Sequence, residues 1–209
     1  MRLRFFAHAA VAVGARGDWL IVDPYESGSF DGRIAYAPIP LAADYVLSTH
    51  DHADHAAFDA LPGDPAVVED GAAGPFEIQR FAFDHDEFDG RVRGGSVDAV
   101  RITDGETVVV HLSDVGQSPE GPLPDALVPV GGHYTAGAAQ GREWARRLAP
   151  RTVVPVHHDA PGCGLPLQSV DPFLAHFRSV DRRDDSRVDL AGVDAPADVT
   201  VLLPECARV

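Results

Sequence analysis

The chain has 209 residues, of which 45% are hydrophobic and 23% charged, a composition typical of one soluble globular domain spanning residues 1–209. Its 17 basic and 32 acidic residues give a net charge of −15, which argues against nucleic acid as a partner. Every basic residue is an arginine, so chemistry that needs a lysine amine, such as Schiff-base formation, is excluded.

Short apolar runs bounded by glycine and proline predict a chain built mainly from β-strands. Strands are expected at residues 3–6, 10–15, 18–23, 44–49, 66–69, 76–83, 96–102, 107–112, 126–130, 152–156 and 199–203. Helices are expected over residues 54–61, 136–148, with Thr135 as N-cap, and 172–180. This succession favours two packed sheets with helices outside them.

The same pass along the chain bears on its location and its cysteines. No apolar run approaches the roughly 18 residues that cross a bilayer, and the first eight residues are interpreted as a strand, not a signal peptide. We therefore expect a cytoplasmic protein with no membrane span. Two cysteines, Cys163 and Cys206, are too few for a disulfide scaffold and are expected to be free thiols.

The densest chemical feature is the run His50-Asp51-His52-Ala53-Asp54-His55, which directly follows an apolar strand. Its three imidazoles and the Asp54 carboxylate offer more ligands than one tetrahedral zinc ion takes from so short a loop. Two metal ions about 3.5–4 Å apart would use all four side chains. The run predicts a dinuclear metal site, the alternative being a solvated polar loop that is rich in histidine.

The pattern His-x-His-x-Asp-His resembles the signature of the metallo-β-lactamase superfamily. Four further segments resemble its bacterial metal-dependent hydrolase branch: Phe6-Ala-His8-Ala-Ala, Ile21-Val-Asp23-Pro24, Pro129-Val-Gly-Gly-His133-Tyr-Thr135 and Val154-Pro-Val-His157. That branch includes the L-ascorbate-6-phosphate lactonase and is similar to N-acylphosphatidylethanolamine phospholipase D. The resemblance covers residues 3–160 and implies an α/β fold, a four-layer αββα sandwich with its metal site at one edge between the sheets.

The superfamily supplies its remaining ligands in the order His, Asp, His, each at a strand end, and this chain offers His85, Asp114 and His157 in that order. His158, directly after His157, is the competing choice for the last ligand. The resemblance implies one ion bound by His50, His52 and His85 and another bound by Asp54, His55 and His157, with Asp114 bridging them.

Two divalent ions lower the pKa of a water between them towards about 7, which predicts a bridging hydroxide that cleaves a small ester, lactone or phosphodiester. Asp54 is expected to orient this nucleophile, and Asp23 and Asp51 to accept the free N–H groups of ligating histidines. His133 is expected to contact the substrate or stabilise a leaving group, with helix capping as the alternative. His8 is expected to line the pocket, with packing at a strand end as the alternative.

Nitrogen-rich ligation favours zinc, whereas the lactonase resemblance favours manganese. The diiron oxidoreductases of the superfamily usually have glutamate at the position of His52, so hydrolysis of a small molecule is preferred over redox chemistry. The remaining alternative is a non-catalytic metal-binding protein on a relic hydrolase fold, which the full set of ligand types argues against. The sequence leaves the oligomeric state open, although proteins of the branch it resembles often assemble into homo-oligomers.

Overall fold

The computed structural model describes residues 1–85, 91–92, 95–117, 125–190 and 199–207. Strands dominate this part of the chain, with few and short helices. The strands are β1 Arg2–Ala7, β2 Ala10–Ala15, β3 Asp18–Val22, β4 Tyr45–Leu47, β5 Ala66–Val67, β6 Gly71–Ala73, β7 Phe76–Asp84, β8 Ser96–Thr103, β9 Val108–His111, β10 Asp125–Pro129, β11 Val153–Val156, β12 Val180–Arg182, β13 Arg187–Asp189 and β14 Val199–Val201. The helical elements are α1 Ser29–Gly32, α2 Ala138–Leu148, α3 Asp171–Leu174 and a 3-10 turn at Phe58–Ala60.

The strands form two mixed sheets that pack face to face. One has six strands in the order β13-β1-β2-β3-β4-β5, and the other has eight in the order β12-β14-β11-β10-β9-β8-β7-β6. The interface between them is apolar and includes Phe5 and Leu20 from one sheet and Val100, Leu127 and Val154 from the other. Removing these side chains from water is the main force that holds the two sheets together.

The outer faces of the two sheets are covered in different ways. On the eight-stranded sheet, Trp144 of α2 and Phe173 of α3 pack with strand residues such as Val128. On the six-stranded sheet, buried residues of non-helical segments, such as Tyr36 and Leu165, take this place.

The predicted α/β sandwich is confirmed, but within the described ranges the cover of the six-stranded sheet is made of loops and turns and not of a helical layer. The sequence gives the reason, because residues 24–44 include three prolines and two glycines, which do not sustain a helix. The element α1 itself has left-handed backbone at Phe30 and Asp31.

Every predicted strand overlaps an observed one, whereas two predicted helices are wrong in extent. Residues 54–61 form turns that end in the 3-10 turn, since the backbone there folds back and the N–H groups of His55 and Ala56 both bond to the carbonyl of His52. The helix expected at 172–180 ends at Leu174, and Val180 already begins β12. Helix α2 begins at Ala138 with Gly137 as N-cap, not Thr135.

The direction of the strands determines where their polar ends meet. Strands β1, β3 and β4 run in one direction, since β2 is antiparallel to β1 and β3 while β4 is parallel to β3. By the same logic β7, β9, β10 and β11 are parallel to one another. At the carboxyl ends the two sheets join, where the N–H of His157 donates to the carbonyl of His8 at 2.7 Å.

Gly131, just after β10, allows a close approach at this edge. A Cβ at position 131 would lie 2.0 Å from the carbonyl oxygen of His157 and 3.2 Å from the Cα of His158. Both contacts are with backbone, which cannot swing aside as a side chain can. Only glycine therefore fits between β10 and the turn that carries His157.

We expect Gly131→Ala to lower the free energy of unfolding by about 3 kcal/mol, the upper range for overpacking, because the backbone at His157 must shift. Gly137→Ala is the matched control, since its new Cβ would approach no atom closer than 3.7 Å, and it should cost less than about 1 kcal/mol. Urea unfolding of both variants measures the difference. Equal losses of unfolding free energy in the two variants would show that the close backbone approach does not make glycine necessary at position 131.

Candidate metal centre

Sharp turns at the strand ends direct the polar side chains into the site. His8, Asp23, Ser113 and His157, each just beyond a strand, have positive φ values of 57°, 54°, 42° and 50°. This left-handed conformation is uncommon for residues other than glycine and costs of order 1 kcal/mol or more each. Such unfavourable backbone conformations concentrate at functional sites, where the surrounding packing holds them.

One cluster consists of His50, His52 and His85. One ring nitrogen from each lies within 4.8 Å of those of the other two. His85 is buried, while His50 and His52 are partly exposed towards solvent. Three imidazole nitrogens facing one point are a ligand set that suits zinc.

A second cluster consists of His8, Asp54, His55 and His157, with ligand atoms again within 4.8 Å of one another. The Nε2 atom of His8 lies 2.9 Å from Oδ2 of Asp54, within hydrogen-bonding distance. The ring of His8 also packs against that of His157, with centroids 4.0 Å apart. His8, predicted to line the pocket, is thus 1% exposed and lies among the buried polar groups of the cluster.

Asp114 lies between the two clusters. Its Oδ2 is 3.4 Å from Nε2 of His55 and 3.5 Å from Nε2 of His85. Its Oδ1 is 3.3 Å from Nε2 of His157. One carboxylate therefore faces histidines of both clusters, which is the arrangement expected of a bridging ligand.

The donor atoms of these side chains lack partners of their own. Within the described part of the chain, Nε2 of His50, His55, His85 and His157 and Oδ1 of Asp114 are buried without a hydrogen bond. Buried polar atoms are nearly always paired, so a group of unpaired ones requires an explanation. Cations bound among them would satisfy all of these atoms at once, and the residues therefore fit a metal centre.

Electrostatics in the site are dominated by carboxylates around His55. Burial disfavours the charged imidazole, but Asp114, Asp54 and Asp23 outweigh it and hold the pKa of His55 well above its usual value. Burial also disfavours the charged form of Asp114, yet nearby His157 and His55 hold its pKa well below the usual range.

The other imidazoles of the site are shifted towards the neutral form. Burial, reinforced by the nearby His55, lowers the pKa of His50 to about 3. Burial lowers the pKa of His157 to about 3 as well, against the opposing charge of Asp114. Both rings are therefore neutral at pH 7, and a neutral ring has a lone pair to give to a metal.

A hydrogen-bonded network behind the ligands fixes their orientation. Oδ2 of Asp23 lies 3.2 Å from Nδ1 of His55 and accepts a hydrogen bond from the Ser113 hydroxyl at 2.5 Å. The Thr49 hydroxyl lies 2.9 Å from Nδ1 of His50 and 3.0 Å from the same Asp23 oxygen. With Nδ1 engaged, each ring directs Nε2 towards the centre, as ligating histidines do. Asp23 thus faces the ring of His55, which is one of the predicted ligands.

Three other predicted or competing residues lie elsewhere. Asp51 is exposed at the rim of the cavity, and the group that faces Nδ1 of His50 is Thr49. His133 is exposed as well, and its neighbour Tyr134 lines the cavity in its place. His158 is buried facing the carbonyl of Asp159, at 3.0 Å from Nδ1, and not the metal cluster.

A cavity of about 470 Å³ opens over the two clusters, a volume in the range of small-molecule sites. Asp54, His85 and Asp114 form part of its wall, and the lining continues with residues that are not ligand candidates. The latter are Phe30, Arg33, Asp51, Ala53, Tyr134 and Leu165.

Reasoning from the sequence missed the hydroxyl groups of Thr49 and Ser113. Their only signal is position, since each directly precedes a predicted ligand, His50 or Asp114. It also missed Arg33 and Phe30, which lie in a loop without a recognisable motif.

Two packed sheets with a histidine- and aspartate-lined cavity at one edge define a metal-binding sandwich protein. Over residues 2–157 the chain matches the family model described as "Beta-lactamase superfamily domain". The chain therefore belongs to the β-lactamase superfamily, and the superfamily predicted from the sequence is confirmed.

Individual proteins and solved structures are also similar to this chain. A UPF0173 metal-dependent hydrolase of Thermococcus onnurineus is 28% identical over 194 residues, which span 76% of this chain and 85% of that protein. A candidate zinc-dependent hydrolase of the superfamily from Thermotoga maritima has a TM-score of 0.74 at 25% identity, covering 96% of this chain and 97% of that one. Igni18, a metallo hydrolase from Ignicoccus hospitalis, has a TM-score of 0.61 at 19% identity, covering 99% and 96%. The predicted class, a metal-dependent hydrolase, is confirmed at this level.

Among the residues that the structure describes, no helix has the length and apolar character needed to cross a bilayer. The free thiols expected at Cys163 and Cys206 are also observed.

The network predicts a measurable effect of the Thr49 hydroxyl. Thr49→Val keeps the shape of the side chain but leaves Nδ1 of His50 without its partner, so we expect zinc affinity to fall about 10- to 100-fold. Competition with a chelating indicator measures this affinity.

Thr152→Val is the matched control for this substitution. Thr152 is also buried, and its hydroxyl bonds to that of Thr200 at 3.1 Å, outside the site. It should bind zinc as the wild-type protein does. An unchanged affinity in Thr49→Val, or an equal loss in both variants, would contradict the orienting role.

Proposed function

We propose that the protein is a hydrolase that holds two divalent metal ions, preferably zinc, and cleaves an ester, lactone or phosphodiester bond of a small molecule. The observation on which the proposal rests is the convergence of two histidine clusters on Asp114, with buried donor atoms that lack partners. A solvated histidine-rich loop would not bury these atoms.

The proposed ligands divide between the two clusters. His50, His52 and His85 would hold one ion, and Asp54, His55 and His157 the other, with Asp114 shared. Two ions in such a site supply an activated water and polarise the bond to be broken. His8 is a neighbour of the second group, and we assign it the orientation of Asp54 and not direct contact with the substrate.

Asp54 has the position and charge needed to act on water. Burial works against ionisation, but His55 and the hydrogen bond with His8 hold its pKa below the usual range, so it is a carboxylate at pH 7. With Oδ2 beside His8 at 2.9 Å, the side chain is fixed while it lines the cavity. A carboxylate held in this way can orient an attacking water and accept its proton.

The role first expected of His133 passes to Tyr134 in this proposal. The phenol belongs to the cavity wall, whereas His133 is exposed with its ring edge-on to Tyr134 at 4.4 Å. A phenol hydroxyl donates a hydrogen bond, and it can stabilise charge on an acceptor oxygen or a leaving group. His133 would then support the Tyr134 ring.

Zinc is preferred because five of the seven proposed ligands are histidines, and three of these histidines form one whole cluster. Manganese and iron are the competing metals and belong in the same test. A cytoplasmic location, one domain over residues 1–209, a homo-oligomer and the absence of nucleic-acid partners stay predictions.

Metal content and turnover, measured together, test the proposal. The purified protein, loaded with zinc, manganese or iron and dialysed, should retain two equivalents of zinc per chain and hydrolyse at least one of a panel of esters, lactones and phosphodiesters. His52→Ala should lose about one equivalent and at least 100-fold in kcat/KM, since one ion loses one of its three histidine ligands.

His176→Ala is the matched control, because His176 is exposed on the surface and outside both clusters. It should retain both the metal and the activity. Two bound equivalents with no turnover of any substrate class would favour the non-catalytic alternative. Fewer than two equivalents in the wild-type protein would contradict the dinuclear site.

A further inference from the structure

One wall of the cavity is formed by the loop between β3 and β4, which contains none of the proposed ligands. Arg33 lies in this loop and lines the cavity. Among the described residues its guanidinium forms no ion pair or hydrogen bond, and no other lysine or arginine lines the cavity. Arg33 is exposed to solvent, and in a chain with a net charge of −15 it brings a positive charge to the cavity over the candidate metal centre.

The backbone beneath Arg33 is firmly held. Its carbonyl accepts a hydrogen bond from the N–H of Gly164 at 2.6 Å. The backbones of Ile34 and Cys163 pair in an isolated antiparallel β-bridge. The side chain of Ile34 is fully buried in the core over the six-stranded sheet. The side chain thus extends from a fixed backbone, so that a ligand would have to order the side chain of Arg33 but not the loop beneath it.

The same loop brings an apolar ring to the cavity. Phe30 has φ 53° and ψ 50°, a left-handed conformation that is unfavourable for a bulky residue. Its side chain is 45% exposed, so no burial in the core compensates for this conformation. Together with Leu165 it gives the cavity an apolar side next to the arginine.

We propose that Arg33 binds an anionic group of the substrate, a carboxylate or a phosphate, while Phe30 and Leu165 pack against an apolar segment between this group and the bond to be cleaved. The proposal rests on the proposed function, since it defines the substrate class of that site. Arginine pairs with carboxylate and phosphate through two parallel N–H···O bonds, which gives direction as well as affinity.

A pair of esters that differ in one charge tests the assignment. Mono-4-nitrophenyl glutarate has a free carboxylate beyond its ester, and 4-nitrophenyl butyrate is a neutral analogue of similar length. In the zinc-loaded protein, Arg33→Gln should lower kcat/KM for the glutarate ester about tenfold, mainly through KM, and leave the butyrate ester within about twofold. Arg33→Lys should restore part of the loss.

Arg142→Gln is the matched control, since Arg142 is an exposed arginine of α2 outside this cavity. It should leave both esters unchanged. Equal losses for both esters in Arg33→Gln, or no loss for either, would overturn the assignment.

Equilibrium binding separates this proposal from the proposed function. Glutarate has a second carboxylate that butyrate lacks, so Arg33→Gln should weaken glutarate about tenfold by calorimetry and leave butyrate unchanged. If this difference appears while no ester is hydrolysed, the anion site stands and hydrolysis fails. If hydrolysis occurs and the difference is absent, the anion site is overturned. The same measurement with 4-phosphonobutyrate compares a phosphonate with the carboxylate of glutarate. Whichever of the two binds more tightly identifies the anionic group that Arg33 prefers.

Discussion

The structure depends on one electrostatic constraint, the burial of three carboxylates around a single imidazole. Asp23, Asp54 and Asp114 are each less than a tenth exposed, and all of them act on His55. One imidazolium cannot neutralise three carboxylates, and burying uncompensated charge is among the most costly features that a fold can contain. This excess of negative charge lies at the same place as the buried side-chain atoms that have no hydrogen-bond partner. A centre that holds divalent cations resolves both problems together, which is why we regard the metal as part of the folded protein.

The architecture serves this constraint by bringing strand ends to one place. Parallel and antiparallel pairings are arranged so that the carboxyl ends of strands from both sheets meet at one edge, and a hydrogen bond from His157 to His8 joins the sheets there. Left-handed turns at the strand ends then direct the side chains inward. These turns are unfavourable locally, so the packed sheets behind them must supply the compensating stability. The edge with the candidate metal centre and the apolar core are therefore coupled, and a shift of the backbone at Gly131 would displace His157.

Much of the fold, and which side chains gather at the candidate site, could be predicted from the sequence, because both leave periodic or compact signals. Alternating apolar runs reveal strands, and the short spacing from His50 to His55 reveals a metal motif. Thr49 and Ser113 leave no such signal, since a hydroxyl becomes part of the network only through contacts between distant segments. His133 shows the converse error, in which a polar residue of a glycine-containing loop faces solvent and its neighbour Tyr134 lines the cavity. Arg33 could not be found either, because the loop that contains it has no regular pattern and is positioned by long-range contacts.

The most direct test of the account is a crystal structure of the zinc-loaded protein with anomalous data collected on both sides of the zinc absorption edge. The account predicts two anomalous peaks about 3.5–4 Å apart. One should lie about 2.0–2.2 Å from the ring nitrogens of His50, His52 and His85, and the other at this distance from His55 and His157, with Asp114 reaching both. A single peak, or peaks outside these two clusters, would contradict the dinuclear centre on which the proposed hydrolysis depends.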